Sequence, residues 1–111
     1  MDVRVEPVGG AAAVLTPSGR LTMVTAGELT AYVERTVAAG RSVIVVDLAE
    51  TDFMDSSGLG ALVAGLRVTR AAGGDLRIAR ATEQVLTVLQ LTTMDRVLRP
   101  HATVDEALGA A

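Results

Sequence analysis

The ten residues Phe53–Leu62, FMDSSGLGAL, gather an acid, two hydroxyls and two glycines where an apolar stretch gives way to a helical pattern. The first turn of a helix carries unpaired backbone N–H groups, and the macrodipole adds partial positive charge there. A serine at that place has two possible roles. Its oxygen can cap the helix, which stabilises it by about 1 kcal/mol, or it can carry a phosphate where an anion is tolerated. Asp55, Ser56 and Ser57 are the candidates. One serine suffices as a cap, so the other is free. Asp55 can serve as an additional cap, or position a hydroxyl for a kinase. Beside an added phosphate it would also repel, setting the modified state further from the unmodified one. Gly58 and Gly60 keep the neighbouring surface low, so that a partner's backbone could approach. This chemistry suits a switchable binding module better than an enzyme.

Other groups offer less. His101 is the single histidine, and a metal site needs several ligands. Asp47 and Asp52 precede the FMDSSG segment without a recognised carboxylate-pair spacing and read as solvated loop residues. No Gly-x-Ser-x-Gly nucleophile elbow occurs, and no Walker-type phosphate loop. Met23, Met54 and Met94 read as gap-fillers of the core or as parts of a contact surface. No metal or cofactor is expected.

Composition narrows the class further. At 111 residues the chain reads as one domain, 1–111, with a single two-layer core. Hydrophobic residues make up 50% but aromatics only 2%, so aliphatic side chains must build the core and stacking platforms for bases are nearly absent. The net charge of -3 argues against nucleic acid. Every basic residue is arginine, and cysteine is absent, which removes disulfides and thiolate chemistry. No signal-peptide pattern opens the sequence, and no apolar run approaches the roughly 20 residues of a membrane helix. A soluble, cytoplasmic protein without membrane contact is expected.

The elements that must position Ser56 can be read from pattern. Val3–Glu6 and Ala12–Thr16 predict two strands joined at Gly9-Gly10 as a hairpin, with Gly19 ending the second. Thr25 and Glu28 form a capping-box pattern for a helix to about Ala39, closed by Gly40. Val43–Leu48 suits a central strand covered on both faces. Ser56 or Ser57 starts a second helix, with Leu59, Leu62, Val63 and Leu66 as its apolar stripe, stopped by Gly73-Gly74. Leu76–Ala79 predicts a strand, Thr82 caps a third helix, and Val97-Leu98 predicts a last strand ended by Pro100. A second capping box, Thr103 with Glu106, opens a short C-terminal helix. Strands alternating with helices after a hairpin predict an α/β fold: a mixed, mostly parallel sheet of about five strands with about four helices.

FMDSSGLGALV resembles the signature of the STAS-domain anti-sigma factor antagonists of bacteria. LTPSGRLTMVTAGEL, VIVVDLAETDFMDSSGLGAL and GGDLRIARATEQVLTVLQLTTMDRVLRPHATVDEAL resemble the rest of that family, so the likeness covers nearly the whole chain. The resemblance implies a STAS-type fold and a partner-switching role. The unmodified antagonist captures an anti-sigma factor that is also a serine kinase, and the sigma factor is released. The kinase phosphorylates the serine that directly follows Asp, which is Ser56 here, and a serine phosphatase reverses the mark. Ser57 is then the local structural hydroxyl. Asp55, Ser56, Ser57, Gly58, Leu59 and Thr22 form the implied partner surface. The chain departs from the family at Gly19-Arg20-Leu21-Thr22, where Gly-Glu-Leu-Asp is usual, which bears on partner identity and kinase efficiency. The same domain type also occurs as an accessory subunit of bacterial lipid-transport assemblies, docking on an ATPase without being phosphorylated. That is the alternative reading.

Overall fold

The computed structural model describes residues 1–110. β1 (Asp2–Val8) and β2 (Ala12–Leu21) form the expected antiparallel hairpin. Arg41 fastens its turn, with Nη1 donating to the carbonyls of Gly9 at 2.9 Å and Ala12 at 2.8 Å. The chain continues through α1 (Ala26–Ala38), β3 (Val43–Asp47), β4 (Thr51–Met54), α2 (Ser56–Ala71), β5 (Asp75–Ala79) and α3 (Glu83–Leu91). A 3-10 turn (Met94–Arg96), β6 (Pro100–His101) and α4 (Val104–Gly109) complete it. The result is a mixed six-stranded sheet in the order β1-β2-β3-β5-β6, with β4 paired to β2. Only β1 runs antiparallel to its neighbour.

Alternation along the strands separates two cores. Leu15, Ile44, Val46, Leu76 and Ile78 face one side and pack with Leu29 and Val33 of α1, Leu62 and Leu66 of α2 and Val85 and Leu89 of α3. Val14, Val45 and Ala79 face the other side, where Ala107, Val104 and Leu108 of α4 meet them. The aliphatic core that composition demanded is therefore divided by a sheet covered on both faces at β3 and β5.

The strand layout and one acidic residue depart from the sequence reading. Gly19 does not end β2. It takes φ +101°, the pairing register shifts there, and the strand runs on to Leu21 with β4 as its new neighbour. A glycine at a bulge makes that turn of the backbone inexpensive. β4 itself was not foreseen, since four residues give too short an alternation to register. Val97-Leu98 is not a strand. The N–H groups of Val97 and Leu98 are taken by the carbonyl of Met94 at 3.1 and 2.8 Å, and the strand forms at Pro100–His101 instead. A proline is tolerated as the first residue of an edge strand. Asp47 is no solvated loop residue. It ends β3 at 4% exposure and is gripped by Arg80, Nη2 to Oδ2 at 2.5 Å and Nε to Oδ1 at 3.1 Å. That fork holds the Arg80 guanidinium pKa above its ordinary value. Arg80 takes φ +54°, a conformation L side chains seldom adopt, secured by this pair and by its N–H on the His101 carbonyl.

Glu50 ties the hairpin to the β3–β4 turn. Its carboxylate accepts from the Ser18 hydroxyl at 2.9 Å and from Arg4 Nη2 at 2.6 Å. These two bonds, the Ser18 one foremost, hold its pKa below the ordinary value of 4.5. A carboxylate depressed on folding contributes stability above its unfolded pKa and loses it as pH falls through the folded value. Glu50→Gln should therefore lower stability slightly near neutrality and leave it unchanged at pH values below both pKa values. Thermal melts of both proteins at neutral and acidic pH check this, with the difference between them shrinking on acidification.

Candidate functional site

The site is built where β2 and β4 end together. Leu21 pairs with Met54 in register, and the Asp55 N–H donates to the Leu21 carbonyl at 3.2 Å. The chain then turns into α2 with Asp55 as N-cap in extended conformation. Its Oδ1 accepts from the Gly58 N–H at 2.9 Å, and its carbonyl accepts from the Leu59 N–H at 3.0 Å. The cap is therefore the aspartate. This frees both serines from the capping role that residue type alone allowed them.

Ser56 occupies the first helical position and is exposed, while Asp55 and Ser57 are half-buried. Gly58 and Leu59, expected on the partner surface, face inward instead. Leu59 belongs to the main core. Gly58 lies against β2, where a Cβ would fall 2.2 Å from the Leu21 carbonyl oxygen and 2.8 Å from Met54 Cγ. The glycine thus permits helix and strand to touch, and it is not there to lower the outer surface. Gly60 has open space on its outer side, as expected of a residue that keeps the surface low.

Thr22 follows immediately after the Leu21–Asp55 contact and is half-buried. Its N–H donates to Thr25 Oγ1 at 3.0 Å, and Thr25 Oγ1 donates to the Arg20 carbonyl at 2.6 Å. Thr25 is the residue before α1 but caps nothing with its side chain. The predicted capping box with Glu28 does not form, because the Thr25 hydroxyl is spent on closing this turn. Thr82 likewise precedes α3 without a side-chain cap, whereas Thr103 does accept from the Glu106 N–H at 3.0 Å.

Three features of the site, the Gln84 side-chain pairing, the exposed Val24 and the Arg20–Phe53 contact, escaped the sequence reading, whereas Met23, expected in the core or on a contact surface, is exposed. The Gln84 side-chain amide continues the ladder of β4. It donates through Nε2 to the Met54 carbonyl at 2.9 Å and accepts at Oε1 from the Met54 N–H at 2.8 Å. The segment leading into Ser56 is thereby fixed, and no motif marks a glutamine for this task. Met23 and Val24 stand out at 77% and 84% exposure beside Thr22, a pair of apolar side chains left in water. Arg20 lies over the Phe53 ring, 4.3 Å from its centroid, so its guanidinium is held by a cation–π contact.

Among the described residues no group of three His, Asp or Glu side chains could hold a metal. Ser56 stands exposed at the entrance of α2 between Asp55 and Ser57, and the Leu21–Asp55 bond leads directly into Thr22 and the exposed Met23 and Val24. Among the described residues, no helix is long and apolar enough to cross a membrane.

Known proteins share this architecture. The family model for the STAS domain matches residues 3–107. A protein of Thermotoga maritima named "Putative anti-sigma factor antagonist" is 32% identical over 69 residues, which is 62% of this chain and 61% of that relative's length. A T. maritima crystal structure bearing the same description superposes with a TM-score of 0.86 at 26% identity, covering 96% of this chain and 91% of the other. SpoIIAA in its unphosphorylated form, titled an anti-sigma factor antagonist, gives a TM-score of 0.81 at 22% identity over 96% and 93% of the two chains. The phosphorylated form of Bacillus SpoIIAA gives 0.73 at 21% identity over 96% of each. With a match that runs from β1 into α4, the chain belongs to the STAS domain family.

Proposed function

We propose that this chain is an anti-sigma factor antagonist that binds a kinase-type anti-sigma factor while Ser56 is unmodified and lets go when Ser56 is phosphorylated. The observation that carries the reading is the division of labour at α2. Asp55 takes the cap, and the adjacent Ser56 hydroxyl is left exposed at the first helical position. Relatives named as antagonists, and SpoIIAA in phosphorylated and unphosphorylated forms, support the same assignment. The docking face comprises Ser56 with Asp55, Ser57 and Thr22, and Met23 and Val24 supply its apolar area. Gly58 and Leu59 support it from beneath.

Phosphorylation adds roughly -1.5 to -2 charges to a face that loses its water on docking. Burying an unpaired charge is strongly unfavourable. The fold tolerates the anion, because a helix N-terminus favours negative charge, so a large conformational change is not required. The partner supplies the ATP and the catalysis, a serine phosphatase removes the phosphate, and this chain is not itself an enzyme. Copurification from the protein's own cells tests the reading. The Ser56→Ala chain should retain an ATP-binding serine kinase that the Ser56→Asp chain loses. Retention of a transporter ATPase by both chains would support the accessory-subunit role instead.

A further inference from the structure

We propose that the free edge of β1 is a self-association surface, through which two copies of this chain join into one continuous sheet. β1 ends the strand order, so one side of its backbone is unpaired. Pro7 reveals which groups face outward. Proline has no N–H and sits on an edge strand with its nitrogen turned away from the neighbour. Alternation along the strand then turns Val3, Val5 and Pro7 outward, and Asp2, Arg4, Glu6 and Val8 toward β2.

The midpoint of Asp2–Val8 is Val5, which is 45% exposed, unusual for a valine in a strand. An antiparallel two-fold pairing centred there uses the whole strand. Val5 stands opposite the second copy's Val5, and their N–H and carbonyl groups exchange bonds. Val3 N–H meets the second copy's Pro7 carbonyl, so the missing proline donor removes only the reverse bond. On the opposite face Arg4 stands across from the second copy's Glu6, and Glu6 across from the second copy's Arg4. Opposite charges directly across a strand pair attract, and like charges repel. Centring the pair on Arg4 instead would set Arg4 against Arg4 and Asp2 against Glu6, with like charges at both places. Charges and proline on an edge ordinarily discourage pairing with arbitrary strands. Here the same residues favour the Val5-centred register, which sets opposite charges across the pair while using the whole strand, over the one centred on Arg4. In the single chain Arg4 Nη2 donates to Glu50 on the β2 side at 2.6 Å, so Arg4 turns to the second copy's Glu6 on pairing, and no residue of the Ser56 site takes part.

Sedimentation velocity from low micromolar to millimolar concentration tests the proposal on the full chain. The wild type should show a concentration-dependent monomer–dimer equilibrium. Arg4→Glu and Glu6→Arg should each weaken the dimer about tenfold or more, and the double variant should recover it, because the reversed pairs attract again. Glu6→Arg leaves the Arg4–Glu50 pair in place, so its effect reports on the strand contact alone. Circular dichroism confirms that each variant remains folded. A wild type that stays monomeric throughout overturns the proposal. So do single reversals that dimerise as well as wild type, or a folded double variant that stays monomeric.

Discussion

Ser56→Asp is expected to weaken binding of the anti-sigma partner by about 2 kcal/mol, roughly thirtyfold in Kd, and phosphorylation of Ser56 by about 4 kcal/mol, roughly a thousandfold. The two effects share a cause. A carboxylate adds one charge and a phosphate up to two, and either must be desolvated when the partner covers the helix entrance. The monomer should not register the substitution. Ser56 is exposed, the cap bond from Asp55 to the Gly58 N–H is independent of its side chain, and an acidic residue in the first turn is favoured by the macrodipole. Repulsion from Asp55 offsets part of that gain. Calorimetric titration against the partner should show the lost affinity, while far-ultraviolet circular dichroism of the free variant stays unchanged. Wild-type affinity in the aspartate variant would contradict a charge-based switch.

Gly58→Ala is expected to destabilise the fold by about 2 kcal/mol, the net of two opposing effects. Alanine is the better helix former by about 1 kcal/mol. Against this, its methyl group would lie 2.2 Å from the Leu21 carbonyl oxygen. That oxygen belongs to backbone already bonded to the Asp55 N–H, so it cannot swing aside, and overpacking of this kind costs about 3 kcal/mol. The melting temperature should fall by roughly 10 °C for a domain of this size. Gly60→Ala, two residues on in the same helix, meets nothing within 4 Å. It should stabilise by up to about 1 kcal/mol. Thermal melts of the two variants should move in opposite directions, and a rise for both would show that the helix–strand contact at Gly58 is not tight.

Much of this was legible in the sequence because each element announces itself locally. The β-branched run of β3, the apolar stripe of α2 and the Gly9-Gly10 turn between the hairpin strands state their own conformations. The exposed position of Ser56 followed from its place at a helix start. What the sequence concealed depends on pairing between distant segments. Asp47 looked like a loop acid because its partner Arg80 lies 33 residues away. Thr25 matched a capping pattern, yet its hydroxyl finds the Arg20 carbonyl a better-placed partner. Gly58 and Gly60 are identical as letters, and only the proximity of β2 gives them different tasks. Gln84 reaches Met54 across 30 residues and imitates a strand, which no local pattern encodes.

The most direct measurement is phosphosite mapping by mass spectrometry on protein purified from its own cells, with the Ser56→Ala chain run in parallel. Phosphate on Ser56 in the wild type, and its loss from the alanine variant while binding persists, is the predicted result. Phosphate on Ser57 at undiminished level in that variant, or none on either serine in any growth condition, would contradict the account.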